Sequence, residues 1–250
     1  HQTAPVLTAA QATKPASTPA PDAAAAYHFM LGYQAELAQD TERAIQEYQA
    51  VLKTDPGSRA VKARLAGIYF SLGDLNTAVR YAEEVGQGTG QDAQQLTQMA
   101  SILASAGKPD RALRFLDMAI ERDPGQSDPY FPKAILLVNQ KRLAEAEQAA
   151  KQGLKVAPDS PIGHYYLGRI YIESGNPDQA IASFERAMAL NSAFEPAYLA
   201  LASLYETRQD REKAIAILKR YLDRVNPGNK DIRQHLIQLY VNTKDYAGGL

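Results

Sequence analysis

Alanine stands at positions 44, 78, 112, 146, 180 and 214, so the spacing is 34 residues each time. A second small column runs in the same frame through Gly32, Ala66, Ala100, Ala134, Gly168 and Ala202. Leu31, Leu65, Met99, Leu167 and Leu201 come directly before it, with Lys133 the exception. Three positions after it come Ala35, Tyr69, Leu103, Leu137, Tyr171 and Tyr205, and Pro56, Pro124 and Pro158 share one further column. A period of this length means stacked units that contact only their neighbours, not a domain with a single centre.

Each column has a physical reason. A large apolar residue, a small one and then a Tyr or Leu at i, i+1 and i+4 form a packing stripe on one helical face. The two small positions let paired helices approach closely. Turns fall between the helices at Gly73-Asp74, Gly107-Lys108-Pro109 and Gly175-Asn176-Pro177. Gly supplies the left-handed residue after the first helix. Asp74 and Asn176 are suited to cap the second helix, and Pro109 and Pro177 suit its first turn. The second helix stops at an Asp-Pro or Ala-Pro step, because the residue before Pro is disfavoured in the α region.

The pattern resembles the tetratricopeptide repeat, a 34-residue helix–turn–helix unit. In that frame the repeats run 25–58, 59–92, 93–126, 127–160, 161–194 and 195–228. A partial seventh, 230–250, has Leu236, Ile237 and Tyr240 in the expected places. The resemblance implies an all-α, right-handed superhelical solenoid over 25–250, with the first helices lining a concave groove that holds peptides, helices or other proteins. The seventh unit stops as its second helix should start, so the reading expects either a longer native chain, which it favours, or a capping helix.

Residues 1–24 differ from the rest. Ala, Thr and Pro dominate, Pro occupies 5, 15, 19 and 21, and Lys14 and Asp22 are the charges. This composition reads as a linker or tether. A cleaved signal peptide or lipid-anchored leader ahead of such a spacer fits it, and so does a boundary inside a longer linker. The tail's one compact apolar pair, Val6 and Leu7, gives a route to self-association through the tail in its own or a neighbour's groove.

Near-balance of 27 basic and 28 acidic residues removes the electrostatic footprint of a nucleic-acid binder or a polybasic membrane-surface protein. No apolar run reaches the roughly 18 residues of a membrane span. The absence of Cys excludes disulfides, thiolate metal sites and a Cys nucleophile. His28, His164 and His235 lie on first helices of different repeats, with no second His at metal-ligand spacing. The run Gly86-Gln87-Gly88-Thr89-Gly90 has no preceding strand and no following Lys-Ser/Thr, so it reads as a soft joint and not a phosphate loop. Glu83 and Glu84 read as solvated. The expectation is a chain without catalytic, metal or cofactor sites.

Function is therefore expected in the groove. The resemblance turns Phe29, Tyr33 and Glu36 of the first repeat toward it, then Ala63, Gly67 and Phe70, then the polar Gln94, Thr97, Ser101 and Ser105. The fourth repeat contributes Phe131, Ile135 and Val138, the fifth Tyr165, Arg169 and Ile172, and the sixth Leu199, Ser203 and Glu206. Apolar and aromatic side chains beside Arg169 are typical anchors, which puts the expected centre of binding in repeats four and five. The Lys/Asn/Arg set with which family members clamp chaperone carboxylates is missing: Phe29, Tyr33, Arg64, Gln94 and Gln98 stand there. Pro132 lies about a turn inside the fourth first helix, which predicts a lost backbone hydrogen bond and a distorted start beside Phe131.

The expected function is a non-enzymatic interaction scaffold in assembly or secretion at a bacterial cell envelope, periplasmic or lipid-anchored. Two alternatives are a cytoplasmic assembly adaptor and a repeat region presenting substrate to a catalytic domain beyond residue 250.

Overall fold

The computed structural model describes residues 21–87, 90 and 92–243. Readings placed on residues 1–20, on 88, 89 and 91, and on 244–250 lie outside the described residues. Among the described residues there are thirteen α-helices and no strand. The first helices of successive pairs are α1 (Pro21–Leu37), α3 (Arg59–Ser71), α5 (Ala93–Ser105), α7 (Tyr130–Asn139), α9 (Pro161–Glu173) and α11 (Glu195–Thr207). Their partners are α2 (Thr41–Thr54), α4 (Leu75–Gly86), α6 (Pro109–Arg122), α8 (Leu143–Val156), α10 (Pro177–Leu190) and α12 (Arg211–Arg224), and α13 (Lys230–Thr243) follows. Each helix packs on its partner and each second helix on the next first helix, which makes the solenoid. Helix α1 begins at Pro21, inside the stretch read as linker; Pro at a first helical position and the run Ala23–Ala26 both favour helix.

The periodic columns are the core. Ala44, Ala78, Ala112, Ala146, Ala180 and Ala214 are all 0% exposed. The other small column is matched, sixteen residues on, by a buried residue of the second helix. Where the small residue is Gly, its partner is aromatic: a Cβ on Gly32 would lie 2.7 Å from the Tyr48 ring, and one on Gly168 would lie 2.6 Å from the Phe184 ring. Where it is Ala, at 66, 100, 134 and 202, the matching residues are the smaller Ala82, Leu116, Ala150 and Leu218. The Gly–aromatic and Ala–Leu pairs have similar summed volume, as close packing favours, while Ala66–Ala82 and Ala134–Ala150 are smaller pairs.

The turns follow local chemistry. Gly73, Gly107 and Gly175 have φ of 80°, 71° and 73°. The other three turns force the same conformation on Gln39, Lys141 and Gln209, with φ of 60°, 61° and 61°. Asp74 caps α4 by accepting a hydrogen bond from the Thr77 amide at 3.1 Å. Asn176 sits at the N-cap of α10 without a side-chain cap bond, contrary to expectation.

Repeat four also departs from expectation. Helix α7 starts at Tyr130, three residues later in the frame than the other internal first helices, and has 10 residues where they have 13. Pro132 is thus its third residue, where an amide has no intrahelical acceptor anyway, and no bond is lost. Lys133 reaches back to Asp117 at 2.6 Å.

The joint after α4 begins early in the frame, because α4 has 12 residues against 14 in the other second helices. Gly86 also has a packing reason, because its missing side chain leaves room for the Phe115 ring. Glu83 and Glu84, read as solvated, are half-buried and paired to neighbouring helices. Glu83 meets Arg111, and Glu84 meets Lys62 at 2.8 Å.

Candidate functional site

Two concavities lie on the face lined by the first helices, and they differ greatly in size. The larger, about 770 Å³, spans α1, α3 and α5. Its floor on α3 is the run Ala60, Ala63 and Gly67, one helical face at i, i+3 and i+7. A Cβ on Gly67 would meet nothing within 4 Å, so the space above it is open. Phe29 on α1 and Phe70 on α3 stand at its edges, and Gln95, Gln98 and Ser101 line it from α5.

A polar network closes the α1 side. The Arg64 Nη1 donates to Glu36 Oε2 at 2.9 Å, and the Tyr48 hydroxyl donates to the same oxygen at 2.7 Å. The Arg64 guanidinium carbon lies 4.7 Å from the centre of the Tyr33 ring and 5.7 Å from that of Phe29. Burial, and then the bond to Glu36, raises the Tyr48 phenol well above its ordinary value and keeps it a neutral donor. Arg64 is thus flattened on aromatic faces with its charge matched by Glu36. A groove whose one Arg is already paired does not call for an acidic ligand. Its amides, hydroxyl and aromatic edges suit a mixed polar and apolar segment.

The smaller concavity, about 20 Å³, lies between α7 and α9 and brings together Ile135, Val138, Tyr166 and Arg169. Arg169 is exposed, with its guanidinium carbon 6.0 Å from the Tyr165 ring centre. Tyr165 is half-buried, its ring 5.9 Å from that of Phe184 and 5.7 Å from that of Phe194. Ile172 is 39% exposed and is not among the lining residues of the cleft.

Phe131 does not reach either concavity. It is 5% exposed and wedged between α8 and α9, where a Cβ on Gly153 would lie 2.8 Å from its ring and one on Gly163 would lie 2.6 Å away. The late start of α7 sets this position. Of the residues expected in the groove, Phe29 and Phe70 line the large concavity, Tyr33 supports Arg64, and Ile135, Val138 and Arg169 form the small one. Arg64, Gln95 and Gln98 were not among the expected anchors. The available signal was their spacing: Arg64 is one turn before Gly67, and Gln98 is one turn before Ser101.

The three described histidines lie apart. His28 is 2.7 Å from Glu47, His235 is 3.1 Å from Glu206, and the His164 ring is 3.0 Å from the Pro158 carbonyl oxygen. No helix among the described residues is long and apolar enough to cross a membrane.

A tetratricopeptide repeat family model matches residues 36–102 and 171–226, and a second model of the same description matches 131–194. The chain belongs to the tetratricopeptide repeat family and is a protein-interaction scaffold of that kind, a family that is generally non-catalytic. Among solved structures, a tetratricopeptide repeat protein from Parabacteroides merdae is similar with a TM-score of 0.72 at 16% identity, covering 89% of this chain and 88% of that one. PilW, a widely conserved type IV pilus biogenesis factor, has a TM-score of 0.70 at 18% identity, covering 85% and 98%. YrrB, described as having an unusual peptide-binding site, has a TM-score of 0.62 at 18% identity, covering 69% and 89%. At these identities the likeness is one of fold. No curated protein matches the chain by sequence.

Proposed function

We propose that the chain holds a segment of a partner protein in the concave groove of its first three repeats, as a non-enzymatic scaffold. The observation that carries this reading is the open floor at Gly67. Helix α3 completes its packing with Val61, Leu65, Ala66 and Ile68, all buried, and still presents a bare face toward about 770 Å³ of space. Packing alone does not require that space to be empty. Phe29 and Phe70 supply apolar edges, and Gln95, Gln98 and Ser101 supply donors and acceptors for a bound backbone. Ile135, Val138, Arg169 and Ile172 form a second, shallower contact further along the same face. Tyr165 supports them from behind.

The envelope assignment rests on the Ala/Thr/Pro-rich composition of residues 1–20, which suits a spacer between an anchor or leader and a folded domain. PilW, with a solenoid of similar extent, is a pilus biogenesis factor. Assembly of an envelope structure is the task we assign here.

The test is selection of a random peptide library on the full chain, followed by binding to Gly67→Trp. A Trp at 67 projects into the groove from a position whose Cβ meets nothing within 4 Å. Peptides that bind the wild-type chain and lose Gly67→Trp support the groove. Peptides that bind both equally place the site elsewhere.

A further inference from the structure

Helix α1 has apolar residues around its whole circumference. Its inner side packs Phe29, Gly32 and Ala35 on α2 and α3, while Tyr27, Met30 and Leu37 are 61%, 59% and 69% exposed. A helix that is apolar on every side is built to be covered on every side.

The exposed residues are not scattered. Ala23, Tyr27, Met30, Gln34 and Leu37 are spaced 4, 3, 4 and 3, which is the seam of a coiled coil, and all five are exposed. The seam overlaps the face that inner repeats bury. The column of Tyr27 holds Val61 and Ala197, both 0% exposed. The column of Gln34 holds Ile68, Ile102, Ile170 and Leu204, at 8%, 4%, 1% and 8%. In those repeats the preceding helix pair covers this face. On α1 it is open, and it carries a polar residue where the inner repeats carry Ile or Leu.

We propose that this seam is a homodimer interface, in which α1 pairs antiparallel with α1 of a second copy. The seam is self-complementary: with Tyr27 of one copy facing Leu37 of the other, Met30 faces Gln34. It holds no charge, so two copies meet without repulsion, and antiparallel helix dipoles favour the pairing. Gln34 fixes the register, as a single polar residue does in such seams. Residues 1–20 offer only Val6 and Leu7 as large apolar side chains, too few to cover Tyr27, Met30 and Leu37. The far end of the solenoid offers a poorer mate. The exposed Ile237 of α13 lies in the small column, which in other repeats faces the helix's own partner. A seam of one short helix falls below the ~1,200 Å² of stable interfaces, so the dimer is weak and reversible.

Sedimentation equilibrium of the full chain over a roughly hundredfold range of concentration tests this. The expected result is a monomer–dimer equilibrium that Met30→Lys and Leu37→Lys each weaken at least about tenfold, with helicity unchanged and Ile237→Lys without effect. The chain has no Cys, so Tyr27→Cys combined with Leu37→Cys should cross-link two copies under oxidation. A monomer at every concentration, a mass that grows beyond the dimer, association unaffected by both Lys variants, or failure of the double Cys variant to cross-link overturns the proposal.

Discussion

The second repeat puts Ala63, Gly67 and Phe70 in the columns where the fifth puts Tyr165, Arg169 and Ile172. The backbones are equivalent, both helices having 13 residues, so the difference is one of side-chain volume. In the fifth repeat Tyr165 packs on Phe184 and Phe194, and Tyr166 and Arg169 crowd against Ile135 and Val138. The concavity there shrinks to about 20 Å³, against about 770 Å³ over the first three repeats. A repeat architecture thus sets where a groove can be, and a few residues per repeat decide whether it is open.

Glycine separates the open groove from the packed columns, because one substitution should have opposite signs at Gly67 and at Gly168. Gly168→Ala drives a Cβ into the Phe184 ring and should destabilise by about 1–3 kcal/mol. Gly67→Ala meets nothing, relieves the backbone freedom of a mid-helix Gly, and should stabilise by about 0.5–1 kcal/mol. Urea unfolding of both variants measures this; the same sign at both positions would break the comparison. A third exchange should not distinguish the halves. Gln39 and Gln209 hold left-handed turns at opposite ends of the solenoid, and either change to Gly should raise stability by about 1 kcal/mol in thermal melts.

The smallest effect is on acid stability. Hydrogen bonds from Thr77, Lys213 and Arg142 hold the carboxyls of Asp74, Asp210 and Glu145 below their ordinary values. A lowered folded pKa contributes stability above the unfolded value near about 4 and loses it as pH falls through the lowered value. All three groups are on the surface, so the decline should be modest. Asp74→Ala should flatten it on the N-terminal side and Asp210→Ala on the C-terminal side, read from melting midpoints against pH.

The helix pairs, their turns and the buried columns were legible in the sequence because their signals recur. Six alanines in register outweigh any one exception such as Lys133. What was not legible is single to one repeat. The late start of α7 accompanies the move of Phe131 from the expected groove into the core, and it follows from how Ser127, Asp128 and Pro129 turn, which has no counterpart among the other described joints. Arg64 was not expected as a groove residue, for a related reason. Its role comes from Glu36 and Tyr33 on another helix, and periodicity within a helix is silent about that contact. The pairing of Gly32 with Tyr48 and of Gly168 with Phe184 was written in the sequence at a constant offset, but it becomes readable only once the facing helices are known.

The central claim is that partner segments lie in the groove of repeats one to three. Phe70 and Ile172 test it as a matched pair, since they occupy the same column and each is 39% exposed. A photo-crosslinking phenylalanine derivative is placed at one or the other position in the full chain and illuminated with a peptide selected on the wild-type protein. The account predicts that the peptide is captured more strongly at position 70 than at position 172. Capture at 172 with none at 70 would contradict it.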